Sequence, residues 1–302
     1  MKFMQYLWLS LGACLVQVVQ AQPERFEVSE LAGGVYLVSG PQGNTLAARD
    51  GEGVVLVNGV AAAYADPFVN EVLAQTGATR IDSLVLSNWH PEFTGLNERL
   101  GRQAIPIIAH ENTRQWLGAT IWEDGDHVVH APVVAQALPS VVFDDQLALP
   151  WSSGTLLLKS ASGAYTDGDL IAYFKEANVL YAGPVVRADR WTVIDRVSNG
   201  FVGAQIEAYD AIMELADDDT RIVPYTGKVL SKAEFAAMRD AYRELFEQLV
   251  ILLRQSKGAQ EVIAANPGDH FPQWSNKAEY LKTSFQSFYG HLRETEYVGV
   301  MP

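Results

Sequence analysis

The sequence predicts a layered α/β fold: a β-rich amino-terminal part, then strands alternating with helices, then a helical carboxyl-terminal tail. Three observations predict it. Short apolar, β-branched runs between residues 34 and 57 are each bounded by Gly, Asn or Asp; beyond residue 83 such runs alternate with helix-length stretches; and residues 231–256 hold one apolar stripe over many turns. With 302 residues, 48% of them hydrophobic in type, the chain can fill a core of that size.

At the amino terminus, Lys2 precedes an apolar run from about Leu7 to Val19, and Val19-Gln20-Ala21 offers a small-residue cleavage site, so residues 1–21 read as a secretory signal. The expected locations are the periplasm or the outside of the cell. A membrane anchor is the alternative, but the run is shorter than the roughly 20 residues a spanning helix needs. Leu11-Gly12-Ala13-Cys14 also resembles a lipoprotein cleavage site, although apolar residues follow Cys14. Cys14 is the only cysteine, so a processed chain has neither disulfides nor thiolate ligands. The net charge of -14 makes nucleic acid a poor partner.

The first strands are expected at 34–39, 45–48 and 54–57, as an antiparallel meander. Asp66-Pro67 supplies an N-cap and a first-turn proline, Phe68, Val69, Val72 and Leu73 make one helical face, and Gly77 stops the helix. Strands follow at 83–87 and 105–109, where Pro106 marks a strand start or an edge. More are expected at 141–143, 155–158, 170–174, 179–181 and 221–223, with helices at 205–216, 231–256 and 277–292. The second of these helices opens on a Ser231/Glu234 capping box and keeps Phe235, Met238, Tyr242, Leu245, Leu249 and Leu252 on one face. Residues 22–230 form the main domain, and 231–302 a helical extension packed on it.

Polar residues gather just after strands, where loops converge over a rigid base: Asn88-Trp89-His90-Pro91-Glu92, Tyr165-Thr166-Asp167 and Tyr225-Thr226. The segment from Ser87 to Asn97 resembles the His-x-His-x-Asp-His loop of the metallo-β-lactamase superfamily. Gly43-Asn44, Val54 to Asn58, Thr166-Asp167-Gly168-Asp169-Leu170, Asn178 to Gly183 and Ile222-Val223-Pro224 follow in that family's order and spacing. The resemblance covers roughly residues 30 to 230 and implies a four-layer αββα sandwich with a helical tail.

It also implies a dinuclear site of five histidines and two aspartates, and here the chain departs from its relatives. Asn88 stands at the first His position and His90 is kept. Glu92 replaces an Asp, Phe93 the adjacent His, Tyr165 the next His, Pro184 the bridging Asp and Thr226 the last His. An enzyme zinc site needs about three protein ligands and an open position for water. Pro184 and Phe93 offer no donor, so no metal cofactor is expected, and no metal-bound hydroxide. A weak single divalent metal on Asn88, His90, Glu92 and Tyr165 is the alternative.

The expected function is therefore non-catalytic binding, of a small molecule in the old cleft or of a periplasmic protein, with no membrane contact after cleavage. A hydrolase of esters, thioesters or β-lactams, using His90 and Glu92 with one metal or none, is the competing expectation. His127 and His130 are expected in a solvated loop, 124–130, and His110 in a capping or core role; His270 and His291 are assigned nothing. Trp89, Trp122, Trp151 and Trp191 are expected near the mouth, as an apolar cleft or simply as core. A serine-hydrolase elbow and a phosphate loop are both absent from the sequence.

Overall fold

The computed structural model describes residues 25–123, 127–268, 270 and 276–298. The expected signal segment with Cys14 lies outside the described residues, as do residues 124–126. Strands β1 (Glu27–Ala32), β2 (Val35–Ser39), β3 (Asn44–Asp50) and β4 (Gly53–Val57) form the antiparallel meander. Helix α1 (Ala65–Thr76) buries Phe68, Val69 and Val72, and Gly77 ends it at φ 66°. Its N-cap position is Tyr64; Asp66 sits in the first turn, where the helix dipole favours an acid.

Strand β5 (Arg80–Leu86) pairs parallel with β4, and the short helices α2 (Pro91–Thr94) and α3 (Asn97–Arg102) follow it. Strand β6 (Ile107–His110) lies inside the sheet, between β5 and a later strand, so Pro106 marks a strand start and not an edge. His110 caps α4 (Glu111–Gly118), its Nδ1 accepting from the Asn112 amide at 3.1 Å. The expected loop at 124–130 is corrected in part: β7 (Ile121–Glu123) and β8 (His127–His130) pair as a hairpin, whose β-branched Val128 and Val129 suit a strand. Strand β9 (Val141–Phe143) completes a seven-stranded sheet in the order β1-β2-β3-β4-β5-β6-β9.

The second sheet joins β10 (Gln146–Trp151), β11 (Gly154–Ser160), β12 (Leu170–Phe174), β13 (Val179–Arg187) and β14 (Arg221–Thr226) in chain order. Helix α5 (Val202–Leu215) separates the last two, which are parallel, as a crossover requires. The tail comprises α6 (Lys232–Arg254), α7 (Ala259–Ala265) and α8 (Lys277–Val298). The Ser231/Glu234 capping box is formed, and Phe235, Tyr242, Leu245 and Leu249 are buried along the predicted stripe.

Three apolar layers follow from these faces. Val35, Leu46, Val57 and Val85 of the first sheet meet Leu158, Phe174, Tyr181 and Val223 of the second. The outer face of the first sheet packs on α1 and α3, that of the second on α5, α6 and α8. The result is the αββα sandwich. Each large side chain buried fully in these layers contributes about 1.5–3 kcal/mol relative to exposure.

Both sheets are tied together below the mouth. Asn58, at φ 66° beyond β4, accepts from the Ser87 amide at 2.7 Å and donates to Ser87 Oγ at 2.7 Å and to the Tyr181 hydroxyl at 3.1 Å. Tyr181 in turn donates to the Asn44 carbonyl at 2.7 Å, and the Asn44 amide to the Pro224 carbonyl at 3.0 Å. Gly43 makes this approach feasible: at φ 149°, a Cβ there would lie 2.5 Å from the Tyr225 carbonyl. These buried, satisfied polar groups fix the strand ends that carry the site.

Candidate functional site

Residues 87–90 lead from β5 directly into α2. Asn88 is fully buried; its Oδ1 accepts from the His90 amide at 3.0 Å and its Nδ2 donates to Asp169 Oδ1 at 3.2 Å. Asp169 also accepts from the Tyr165 amide at 2.6 Å, the Thr166 amide at 2.7 Å and Thr166 Oγ1 at 2.8 Å. Complete burial pushes its carboxyl up to about 7, against the hydrogen bonds from Thr166, Tyr165 and Asn88, which favour the ionised form. Asp169 thus clamps the turn bearing Tyr165 to the turn bearing His90.

His90 lies between two carboxylates. Its Nε2 is 2.9 Å from Asp195 Oδ2 and its Nδ1 is 3.8 Å from Glu92 Oε2. Burial alone would push the imidazole pKa down; the Asp195 bond, then the negative charges of Glu92, Asp195 and Asp169, outweigh it and hold the pKa above its ordinary value. For Asp195 burial works upward, but the bond and charge of His90 and the bonds from Ser198 Oγ and the Val197 amide bring it below the usual carboxylate range. The imidazole packs against Trp89 with centroids 4.5 Å apart and against Tyr165 at 5.0 Å.

The other positions singled out in the sequence come to the same end of the sandwich, but with other partners. Phe93 is fully buried edge-on against Tyr225, centroids 4.9 Å apart. Pro184 is buried within β13 beside Gly183, where the pairing with β14 is irregular. Thr226 Oγ1 donates to Asp189. Glu92 lies in the first turn of α2.

A metal ion does not fit this donor set. Phe93 and Pro184 present hydrocarbon, the Asn88 oxygen accepts from the His90 amide, Thr226 Oγ1 donates to Asp189, and His90 Nε2 is held by Asp195. Among the described residues no group of three or more His, Cys, Asp and Glu could hold an ion. His130 packs its ring on Trp89 at 5.2 Å, and burial lowers its pKa; it is half-buried, in contrast to the solvated position expected for it. The side chains of His127, Trp122 and His291 lie outside what is described, and His270 pairs with Glu244 at 3.3 Å. Trp151 belongs to the core between the sheets, against Phe174.

Beside the imidazole opens a cavity of about 570 Å³, lined by His90, Tyr165, Arg187, Asp195, Asn276 and Glu279 among others. Arg187 stacks its guanidinium on Tyr225, 4.8 Å from the ring centroid. Asn276 fastens the start of α8 to the wall through two bonds with the Trp191 backbone, at 3.0 and 2.7 Å. Asp195, Arg187 and Glu279 escaped notice in the sequence. Asp195 is 105 positions from its partner and no motif surrounds it, whereas Arg187, three residues past Pro184, could have been found by extending that strand.

A sandwich of this layering, with its site at the strand ends, defines a protein of the metallo-β-lactamase fold. No protein-family description and no curated protein matches the chain. Solved structures do. The chain is similar to a metallo-beta-lactamase from Pontibacter korlensis, at 15% identity and a TM-score of 0.58, over 72% of this chain and 99% of that one. It is similar also to the DIM-1 metallo-beta-lactamase, at 13% identity and a TM-score of 0.57 over 72% and 97%, and to TMB-1, at 14% and 0.55 over the same shares. Identities this low speak for the fold alone.

Proposed function

We propose that this chain is an exported, metal-independent binding protein, which takes a small molecule into the cavity between the mouth loops and α8. The observation that carries the reading is the bond between His90 and Asp195: the one retained imidazole of the motif is occupied by an internal carboxylate. A cavity of about 570 Å³ falls in the range of small-molecule sites, and its mixed apolar and polar lining suits orientation of a ligand. Thermal-shift screening of the processed protein against neutral, anionic and cationic metabolites, with and without chelator, tests it. Stabilisation by a ligand that chelator leaves unchanged is expected; stabilisation that requires a divalent metal overturns the reading.

A second reading is favoured by the same bond. A carboxylate-oriented imidazole is the arrangement of a general base, so the chain would be a metal-free hydrolase of esters, thioesters or β-lactams. Against it, Ser198 donates to Asp195 and not to His90, so the pair does not activate this hydroxyl as a nucleophile. Turnover of an ester and lactam panel, abolished by His90→Ala, would establish this second reading, and inactivity across the panel would remove it.

A further inference from the structure

Six acidic or basic side chains line the cavity: His90, Arg187, Asp189, Arg190, Asp195 and Glu279. Four of them are matched within the protein. His90 is bonded to Asp195, and Asp189 is paired with Arg190 at 3.1 Å. Arg187 and Glu279 form no ion pair or side-chain hydrogen bond with any described residue, nor do they reach each other. Arg187 has only the face of Tyr225 beneath it, which leaves the edges of its guanidinium free to donate.

The two unmatched charges come from different parts of the chain. Arg187 ends β13, within the sandwich, whereas Glu279 lies in the first turn of α8, in the helical tail. An acid in a first helical turn is ordinary by itself. Its place on the wall of a cavity that also holds an unmatched cation is what calls for a ligand. The Tyr165 hydroxyl, on the same wall, donates to no described acceptor; burial, with the charges of Glu92 and Asp195 adding to it, keeps the phenol protonated and so a donor. Between these groups the lining includes apolar Val193 and Ile194.

We infer that the ligand is a zwitterion of about dipeptide size, its carboxylate held by Arg187 and Tyr165 and its ammonium by Glu279. The inference rests on the binding reading above and adds the ligand's charge pattern and the role of α8 as a determinant of specificity. A cavity of about 570 Å³ exceeds a single amino acid and accommodates two residues with room for water.

Calorimetric titration of the processed protein with three panels tests it: unprotected dipeptides, the same dipeptides N-acetylated, and the same dipeptides C-amidated. The unprotected panel is expected to contain binders, with roughly three- to tenfold loss on blocking either end. Glu279→Gln is expected to abolish the penalty for N-acetylation alone, and Arg187→Gln the penalty for amidation alone, each with unchanged melting temperature. Equal affinity for blocked and free peptides, or no binding by any panel, overturns the inference. The binding reading itself survives either result if the wider metabolite screen still yields a metal-independent ligand, and falls if that screen is silent too.

Discussion

Replacing Asp195 by Asn removes a charge from the site while keeping its shape. In the protein, Asp195 Oδ2 takes His90 and Ser198, and Oδ1 takes the Val197 amide at 2.9 Å. An amide must turn its NH2 toward one of these two sets of donors, so at least one donor loses its acceptor whichever way it sits. A hydrogen bond to a charged group contributes about 1.5–3 kcal/mol and an orphaned donor costs about 1–3 kcal/mol, so a loss of about 2–4 kcal/mol is expected. The side chains of His90 and Asp195 are 19% and 13% exposed, which leaves little screening by solvent.

The pH dependence has a definite sign. The folded pKa of His90 is raised, so its contribution is fully present below the ordinary value of 6.5 and is lost as pH rises through the higher folded value. The folded pKa of Asp195 is lowered, so its contribution is present above the ordinary 3.8 and is lost as pH falls through the folded value. Urea unfolding should therefore separate wild type from Asp195→Asn most widely between about pH 4 and 6.5, and less on either side. Imidazole NMR titration should place His90 above 6.5 in the wild type and lower in the variant, where only the charges of Glu92 and Asp169 still oppose burial. A wild-type His90 that titrates at or below 6.5, or a stability difference that is flat with pH, would refute the pairing.

Three further outcomes follow from the same contacts. Phe93→His should not create a zinc site, because His90 stays on Asp195 and Pro184 offers no donor; one equivalent of zinc taken up at micromolar concentration in calorimetry would contradict this. Asp169→Asn should lower stability in urea by about 2–4 kcal/mol, since an amide NH2 would face either Asn88 Nδ2 and Thr166 Oγ1 or the Tyr165 and Thr166 amides, and a loss below about 0.5 kcal/mol would remove Asp169 as the clamp. Ser231→Ala should cost about 1 kcal/mol by breaking the capping box, read as a lowered melting temperature with the cavity's ligand binding unchanged.

The layering of the fold could be read from the sequence because it rests on local signals: the β-rich runs at 34–57, Gly77 as a stop, Ser231 with Glu234 as a start. Elements whose partners are remote were missed. Strand β10 alternates exposed and half-buried residues at a sheet edge, and α2 and α3 are too short to show a period. At the site, Asn88, His90, Phe93, Tyr165, Pro184 and Thr226 all fall at one end of the sandwich. What the motif could not supply was their new partners. Asp169 meets Asn88, Tyr225 meets Phe93 and Asp195 meets His90 only after the two sheets close, and a residue 105 positions away carries no local mark of the bond it will make.

Metal content, measured by mass spectrometry on processed protein purified without chelator, bears most directly on the claim that an internal carboxylate has taken the place of a metal on His90. Substoichiometric zinc, iron and manganese, with the His90 imidazole protonated by NMR at pH 6, is the result expected. One equivalent of any of them, released only on denaturation, would contradict it.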